Sequence, residues 1–106
     1  MEKDYDDLSL STTQPFTIGQ LVRSKKGRDR GSFYLVIGIE KSVLLLSDGR
    51  KRGLSHPKRK NMLHVQPTRK IAADFARQAL LGSPRDEQIR QGLISLTEGS
   101  GFIDEI

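Results

Sequence analysis

Short runs of β-branched, aromatic and leucine residues, separated by glycine-containing turns, constrain the fold of this chain more than any other feature. Residues 33–39 and 43–46 have the composition of strands, and residues 16–23 and 62–65 predict one more strand each. Asp48-Gly49 favours a tight hairpin with its second arm in residues 50–54, because both central residues of such a turn need positive φ. Four or five short strands in about fifty residues predict a small barrel or rolled sheet.

The second half of the chain changes to a helical period. From Thr68 onward, Ile71, Phe75 and Ala79 are spaced to share one face of a helix, which Gly82 can end. A second helix is expected where Ser83 acts as N-cap and Pro84 takes the first helical position.

Gly92 lies inside the second predicted helix and leaves two alternatives open. It either permits close packing or ends the helix early, at a cost of about 1 kcal/mol relative to Ala. The expected organisation is mainly β with an α extension. It comprises a flexible acidic tail at 1–15, a compact β domain at 16–66 and a helical extension at 67–106.

Charge is distributed unevenly along the chain. Residues 19–70 hold fourteen Lys and Arg against three acids, a net of +11, whereas residues 1–18 and 71–106 each carry −3. A basic centre between acidic flanks is typical of a protein that binds a polyanion, and nucleic acid is favoured over an anionic membrane surface.

Other sequence features narrow the setting. The absence of cysteine excludes disulfides and thiolate metal sites and fits a reducing compartment. The acidic N-terminus does not resemble a signal peptide, and the apolar runs are far shorter than the ~20 residues that span a bilayer. We therefore expect a cytoplasmic protein with no membrane segment.

The stretch from Gly19 to Gly31, followed by Tyr34-Leu35-Val36-Ile37, resembles the KOW motif, which is a strand, a basic glycine loop and a second strand. Later matches at 48–50, 56–60 and 63–65 make residues 16–66 similar to bacterial KOW-domain RNA-binding proteins related to large-subunit ribosomal proteins of eukaryotes and archaea. Many KOW motifs carry a second glycine where this chain has Tyr34. The resemblance implies an SH3-like β-barrel whose motif loop contacts RNA, commonly ribosomal RNA, in translation.

Candidate RNA-binding residues fall in three basic clusters and among nearby rings. Clustered cations can converge on phosphates, glycines allow close backbone approach, and aromatic or imidazole rings can stack on unpaired bases. The candidates are Arg23, Lys25, Lys26, Gly27, Arg28, Arg30, Gly31, Tyr34, Arg50, Lys51, Arg52, His56, Lys58, Arg59, Lys60 and His64. Basic loop residues can also be merely solvated. Alternation places Phe33 in the core and Tyr34 on the opposite face, where barrel packing competes with stacking.

No sequence signature of catalysis, a metal site or a cofactor is present. Ser55 and His56 are adjacent and point apart on an extended chain, while Asp29 and Asp48 are better interpreted as turn formers. We therefore expect a binding protein and not an enzyme. The main alternative is a KOW module that docks on a transcription or ribosomal protein, and non-specific DNA binding is a third.

Overall fold

The computed structural model describes residues 16–98, so the predictions for the tail at 1–15 and for the C-terminal segment beyond Glu98 lie outside the described residues. Within 16–98 the chain forms a mainly β protein with two C-terminal helices. In chain order the elements are β1 Gln20–Ser24, β2 Phe33–Glu40, β3 Val43–Ser47, β4 Lys58–Asn61, a 3-10 turn at Met62–His64, β5 Val65–Ile71, α1 Ala73–Leu80 and α2 Asp86–Thr97.

The five strands form one antiparallel sheet in the order β4-β3-β2-β1-β5. Its two edge strands, β4 and β5, are consecutive in the chain and are joined by the 3-10 turn alone. Four residue steps span at most about 15 Å, whereas a flat sheet of five strands would hold its edges about 19 Å apart. The sheet is therefore strongly curled. No ladder joins the two edges among the described strands, so the predicted closed barrel is not confirmed.

A β-bulge in β2 helps the sheet to bend. The pairing with β3 shifts register between Val36 and Gly38, which places Ile37 as the extra residue. A Cβ at position 38 would lie 2.8 Å from Leu45 Cδ1 and 3.3 Å from Leu45 Cβ, so the Leu45 side chain would have to shift for a larger residue.

Both faces of the central strands are buried. Inside the curl lies one cluster, composed of Phe16, Val22, Tyr34, Val36, Leu44, Leu46 and Val65. On the outer face the two helices cover a second cluster, composed of Leu21, Leu35, Ala72, Phe75 and Ile89. The predicted alternation is confirmed for Phe33, Leu35 and Ile37, which face the second cluster. Ile39 packs against the first cluster, because the bulge reverses its direction.

The predicted hairpin at Asp48-Gly49 is wrong. Gly49 does have positive φ, but residues 48–57 form a succession of turns without a strand. The Asp48 carboxylate accepts hydrogen bonds from the backbone N–H groups of Arg50 and Arg52, which closes the chain locally. The strand that pairs with β3 on the side away from β2 is β4, a segment that the sequence predicted to be a basic connector.

The start of α1 also differs from the prediction. Residues 65–71 form β5, which crosses the expected domain boundary, and Ile71 is 47% exposed instead of packed in a helix. The hydroxyl of Thr68 donates to the Leu21 carbonyl at 2.7 Å, and this bond ties the segment to β1. Phe75 and Ala79 do pack in the core, and Gly82, at φ 86°, follows the end of α1 as predicted.

Helix α2 begins at Asp86, three residues later than the predicted cap at Ser83. Arg85 precedes it in an extended conformation, and the Gln88 side chain accepts a hydrogen bond from the Arg85 N–H. Gly92 lies within a helix that continues to Thr97, and a Cβ there would meet the Ala72 Cβ at 2.9 Å. Close packing is therefore the reason for this glycine.

Candidate nucleic-acid interface

The motif loop, residues 25–31, connects β1 to β2 as predicted. Gly27 and Gly31 both have positive φ, at 94° and 91°, a conformation that strains other residues. The Arg30 N–H donates to the Gly27 carbonyl at 3.1 Å, and the Gly31 N–H donates to the Ser24 carbonyl at 2.8 Å. The glycines thus fold a short basic segment into a compact turn.

The carboxylate of Asp29 is the centre of a hydrogen-bonded group that we call the Asp29 network. It accepts from the Ser24 hydroxyl at 2.9 Å, from the Tyr34 hydroxyl at 2.8 Å and from Lys60 Nζ at 2.8 Å. The side chains of Asp29 and Lys60 are only 14% and 10% exposed. The network therefore joins the motif loop, β2 and β4 through a nearly buried ion pair.

The network changes the acidity of its two ionisable oxygen groups. Burial alone would raise the pKa of Asp29, but hydrogen bonds from Lys60, Tyr34 and Ser24 and the charge of Lys60 hold it well below its usual range. Burial, followed by the bond to the Asp29 carboxylate, raises the pKa of the Tyr34 hydroxyl. The carboxylate therefore stays ionised and the phenol stays protonated at neutral pH.

The three basic residues of β4, Lys58 to Lys60, make more contacts within the protein than the sequence predicted. Lys60 is held by Asp29 and also donates to the Lys26 carbonyl at 2.8 Å. Lys58 lies 3.9 Å from Asp29, with 29% of its side chain exposed. Arg59 is exposed and pairs with Glu40 at 2.9 Å. Because β4 is a strand, its two lysines share one side and Arg59 takes the other.

Two candidates on the central strands are engaged in different ways. Tyr34 is 5% exposed, so its ring packs in the core and is not available for stacking in this structure. Arg23 is exposed, yet its guanidinium lies 5.3 Å from the centroid of the Phe33 ring and its Nε donates to the Gly31 carbonyl at 3.3 Å. Arg23 therefore connects the end of the motif loop at Gly31 to the Phe33 ring of β2.

The turn that carries the second cluster is anchored to α2. Arg90 donates to the Gly49 carbonyl at 2.7 Å, and the Leu54 N–H donates to Asp86 Oδ1 at 2.7 Å. Arg52 lies 3.2 Å from the His56 ring. Ser47, the last residue of β3, pairs with Leu35 near the start of β2, so this turn leaves the sheet at the end where the motif loop enters it.

The 3-10 turn brings His64 beside the start of the motif loop. The Lys25 N–H donates to the His64 carbonyl at 2.8 Å, and the Asn61 side chain accepts from the Leu63 N–H at 2.8 Å. Leu63, which the sequence reasoning passed over, is 78% exposed at this position. The signal for it was weak, because one exposed leucine is common on protein surfaces.

Eight of the predicted cations form no ion pair with any described residue. Arg23 and Arg52 contact neighbouring groups with their side chains, whereas the other six make no side-chain hydrogen bond or ion pair with residues 16–98. These six are Lys25, Lys26, Arg28, Arg30, Arg50 and Lys51, and we call them the basic rim. Four lie in the motif loop and two in the turn after β3, and all six are exposed. Ammonium and guanidinium groups on a short glycine loop are suited to contact phosphate oxygens.

The helical side carries a different feature. A groove of about 690 Å³ lies between α1 and α2, with Asp74, Arg77 and Glu87 among its lining residues. In residues 16–98 there is no group of three or more acidic, histidine or cysteine side chains placed to hold a metal ion. Neither described helix is long and apolar enough to cross a membrane.

No protein-family model matches the chain, and no curated protein is significantly similar to it in sequence.

Proposed function

We propose that this protein binds structured RNA through the basic rim and acts as a KOW-type RNA-binding protein associated with the ribosome or translation. The observation that carries the proposal is a concentration of six exposed cations that form no ion pair with a described residue: four lie on a glycine loop that the protein itself holds in place, and two lie in the turn after β3. The ribosomal setting rests on the resemblance of residues 16–66 to KOW domains.

The finer fold assignment, an SH3-like barrel, belongs to the same proposal. Its support is the strong curl of the sheet, in which consecutive strands β4 and β5 occupy opposite edges, together with the bulge in β2. The strand–loop–strand arrangement of β1, the motif loop and β2 has the order that the KOW motif requires.

Phosphate contacts provide the main affinity in this proposal. The six rim cations would each displace counterions from the RNA, so affinity should fall steeply with salt. Base recognition is a smaller contribution, because Tyr34 is buried and His56 and His64 are the remaining rings near the rim. RNA shape, and not a long base sequence, is the property that such a surface reads.

The test is fluorescence anisotropy with a structured ribosomal RNA fragment and a length-matched DNA duplex across a salt series. We expect tighter binding to RNA and a slope of log affinity against log salt of about −4 to −5 for six contacts. Equal affinity for the duplex would favour non-specific DNA binding, and weak binding to both would favour the protein-docking alternative.

A charge-reversal pair makes the test specific for the loop. Replacing Arg28 and Arg30 with Glu should abolish RNA binding while the circular dichroism spectrum is retained. The matched control replaces Arg69 and Arg77 with Glu, two exposed arginines outside the rim. Arg69 lies toward the Gln20 end of β1, away from the motif loop, which follows Ser24. Equal losses in both variants would show that net charge alone controls binding.

A further inference from the structure

Asp29 is an acid at the centre of a basic surface, and its position gives it a definite role. Its carboxylate accepts three hydrogen bonds, from Ser24, Tyr34 and Lys60, which belong to three different strands. Only 14% of the side chain is exposed, so it presents little negative charge to a ligand.

Each bond fixes the motif loop at a different point. Ser24 is the last residue of β1, Tyr34 is near the start of β2, and Lys60 comes from β4, 31 residues farther along the chain. Lys60 binds the loop twice, because its Nζ also donates to the Lys26 carbonyl at 2.8 Å. The backbone that carries Lys26, Arg28 and Arg30 is therefore held from both flanking strands and from the sheet edge.

We infer that Asp29 is a positioning residue of the proposed RNA site, which sets the motif loop in its binding-competent shape through Lys60 and Tyr34. The inference rests on the proposed function. It predicts a change in RNA affinity opposite in sign to the change that net charge alone predicts. Removing an acid from a phosphate-binding surface should strengthen binding through charge, whereas removing this acid should weaken binding because the loop loses its support.

The test compares two isosteric replacements that change the net charge equally. Asp29→Asn breaks the charged part of the network, while Glu40→Gln removes an exposed acid whose one ion pair among residues 16–98 is with the exposed Arg59. If the loop keeps its competent shape about one fifth of the time in D29N, the RNA dissociation constant rises about fivefold. E40Q should bind as tightly as the unmodified protein or slightly more tightly.

A double-mutant cycle separates positioning from charge. Lys60→Gln lowers the net charge by one and Asp29→Asn raises it by one, so electrostatics predicts opposite effects on affinity. Positioning predicts that both single variants weaken RNA binding and that the double variant is no weaker than either single variant. Tyr34→Phe removes one hydrogen bond without a charge change and keeps the aromatic ring in the core, so it should give a smaller loss of affinity.

Amide hydrogen exchange supplies a readout that a general loss of stability would not produce. In D29N the N–H groups of Arg30, Gly31 and Ser32, which donate to the carbonyls of Gly27, Ser24 and Asp29, should exchange faster while those of β2 and β3 stay protected. Binding of D29N that equals or exceeds that of E40Q, in a folded protein, would overturn the inference and leave the proposed function intact. Failure of the unmodified protein to bind RNA would overturn both.

Discussion

Replacing Asp86 with Ala should destabilise the protein by detaching the turn at residues 48–57 from helix α2. Asp86 is the first residue of α2, and its carboxylate accepts a hydrogen bond from the Leu54 N–H at 2.7 Å, across 32 residues of sequence. The carboxylate also packs closely against Gly53, because a Cβ added to Gly53 would lie only 3.0 Å from Asp86 Oδ2. The turn thus fits against the carboxylate with no space for a larger group.

The size of the effect follows from two favourable interactions and one compensation. A hydrogen bond to a charged group contributes about 1.5–3 kcal/mol, and an acid in the first turn of a helix about 0.3–1 kcal/mol. Asp86 is half-buried, so values near the lower ends apply. Alanine recovers about 0.5 kcal/mol through its higher helix propensity. The expected net loss is about 1.5 kcal/mol, which lowers the melting temperature of a domain of this size by roughly 6–12 °C.

Thermal unfolding followed by circular dichroism measures this loss. Glu87→Ala is the matched control, because Glu87 is an exposed acid in the same helical turn. It loses the interaction with the helix dipole but no bond to the turn, and the helix propensity of alanine offsets part of that loss, so its melting temperature should fall by at most about 2 °C. If D86A and E87A melted together, the bond from Leu54 to Asp86 would not stabilise the fold, and the reasoning would be refuted.

Three further predictions follow from individual contacts. Lys26→Gln should reduce the magnitude of the salt slope for RNA by about 0.7–0.9, whereas Lys60→Gln should leave it unchanged, as measured by anisotropy, because Lys60 is held by Asp29. Tyr34→Phe should flatten the alkaline loss of stability in urea titrations. The raised pKa of Tyr34 makes its contribution complete below about pH 10, the unfolded value, and lost as pH rises further. Phe75→Ala should cost about 3–5 kcal/mol in the same titrations, since Phe75 is 1% exposed.

The strands with strong local signals were predictable from the sequence. Residues 33–40 and 43–47 are runs of β-branched, aromatic and leucine residues, and both form strands close to the expected bounds. By contrast, the sequence Lys-Arg-Lys-Asn at 58–61 carries no such signal. It becomes a strand because it pairs with β3 and because its side chains find Asp29 and Glu40, contacts that no local pattern encodes.

The junction between β5 and α1 shows how a periodic pattern can mislead. Ile71 lies four residues before Phe75, which fits a helix, but it belongs to the end of a strand. Contacts with β1 hold this segment as a strand, since Gln20 Nε2 donates to the Thr68 carbonyl and the Thr68 hydroxyl donates to the Leu21 carbonyl. Those bonds cross 47 and 48 residues, a distance in sequence that pattern reasoning does not cover.

The candidate site was predictable to a similar degree. Its glycine loop and its basic clusters were evident from the sequence, and Asp29 was expected to support a turn. The sequence did not reveal that Lys60 is the main partner of Asp29, or that Tyr34 turns its hydroxyl to the same carboxylate. These contacts depend on the curl of the sheet, which brings β4 to the motif loop. Local charge therefore indicated the candidate surface, and tertiary structure determines which of its cations form ion pairs with described residues.

The cations of the motif loop repel one another when no ligand is bound. Lys25, Lys26, Arg28 and Arg30 lie within six residues, and two like charges about 7 Å apart in water repel by about 0.6 kcal/mol. The ionised carboxylate of Asp29 does not remove this repulsion by its charge, because it is already paired with Lys60 at 2.8 Å. The repulsion is opposed by hydrogen bonds that fix the loop backbone, since Ser24, Tyr34 and Lys60 donate to Asp29 and Lys60 also donates to the Lys26 carbonyl. A loop without Asp29 would lose these bonds, and its charges would be free to move apart.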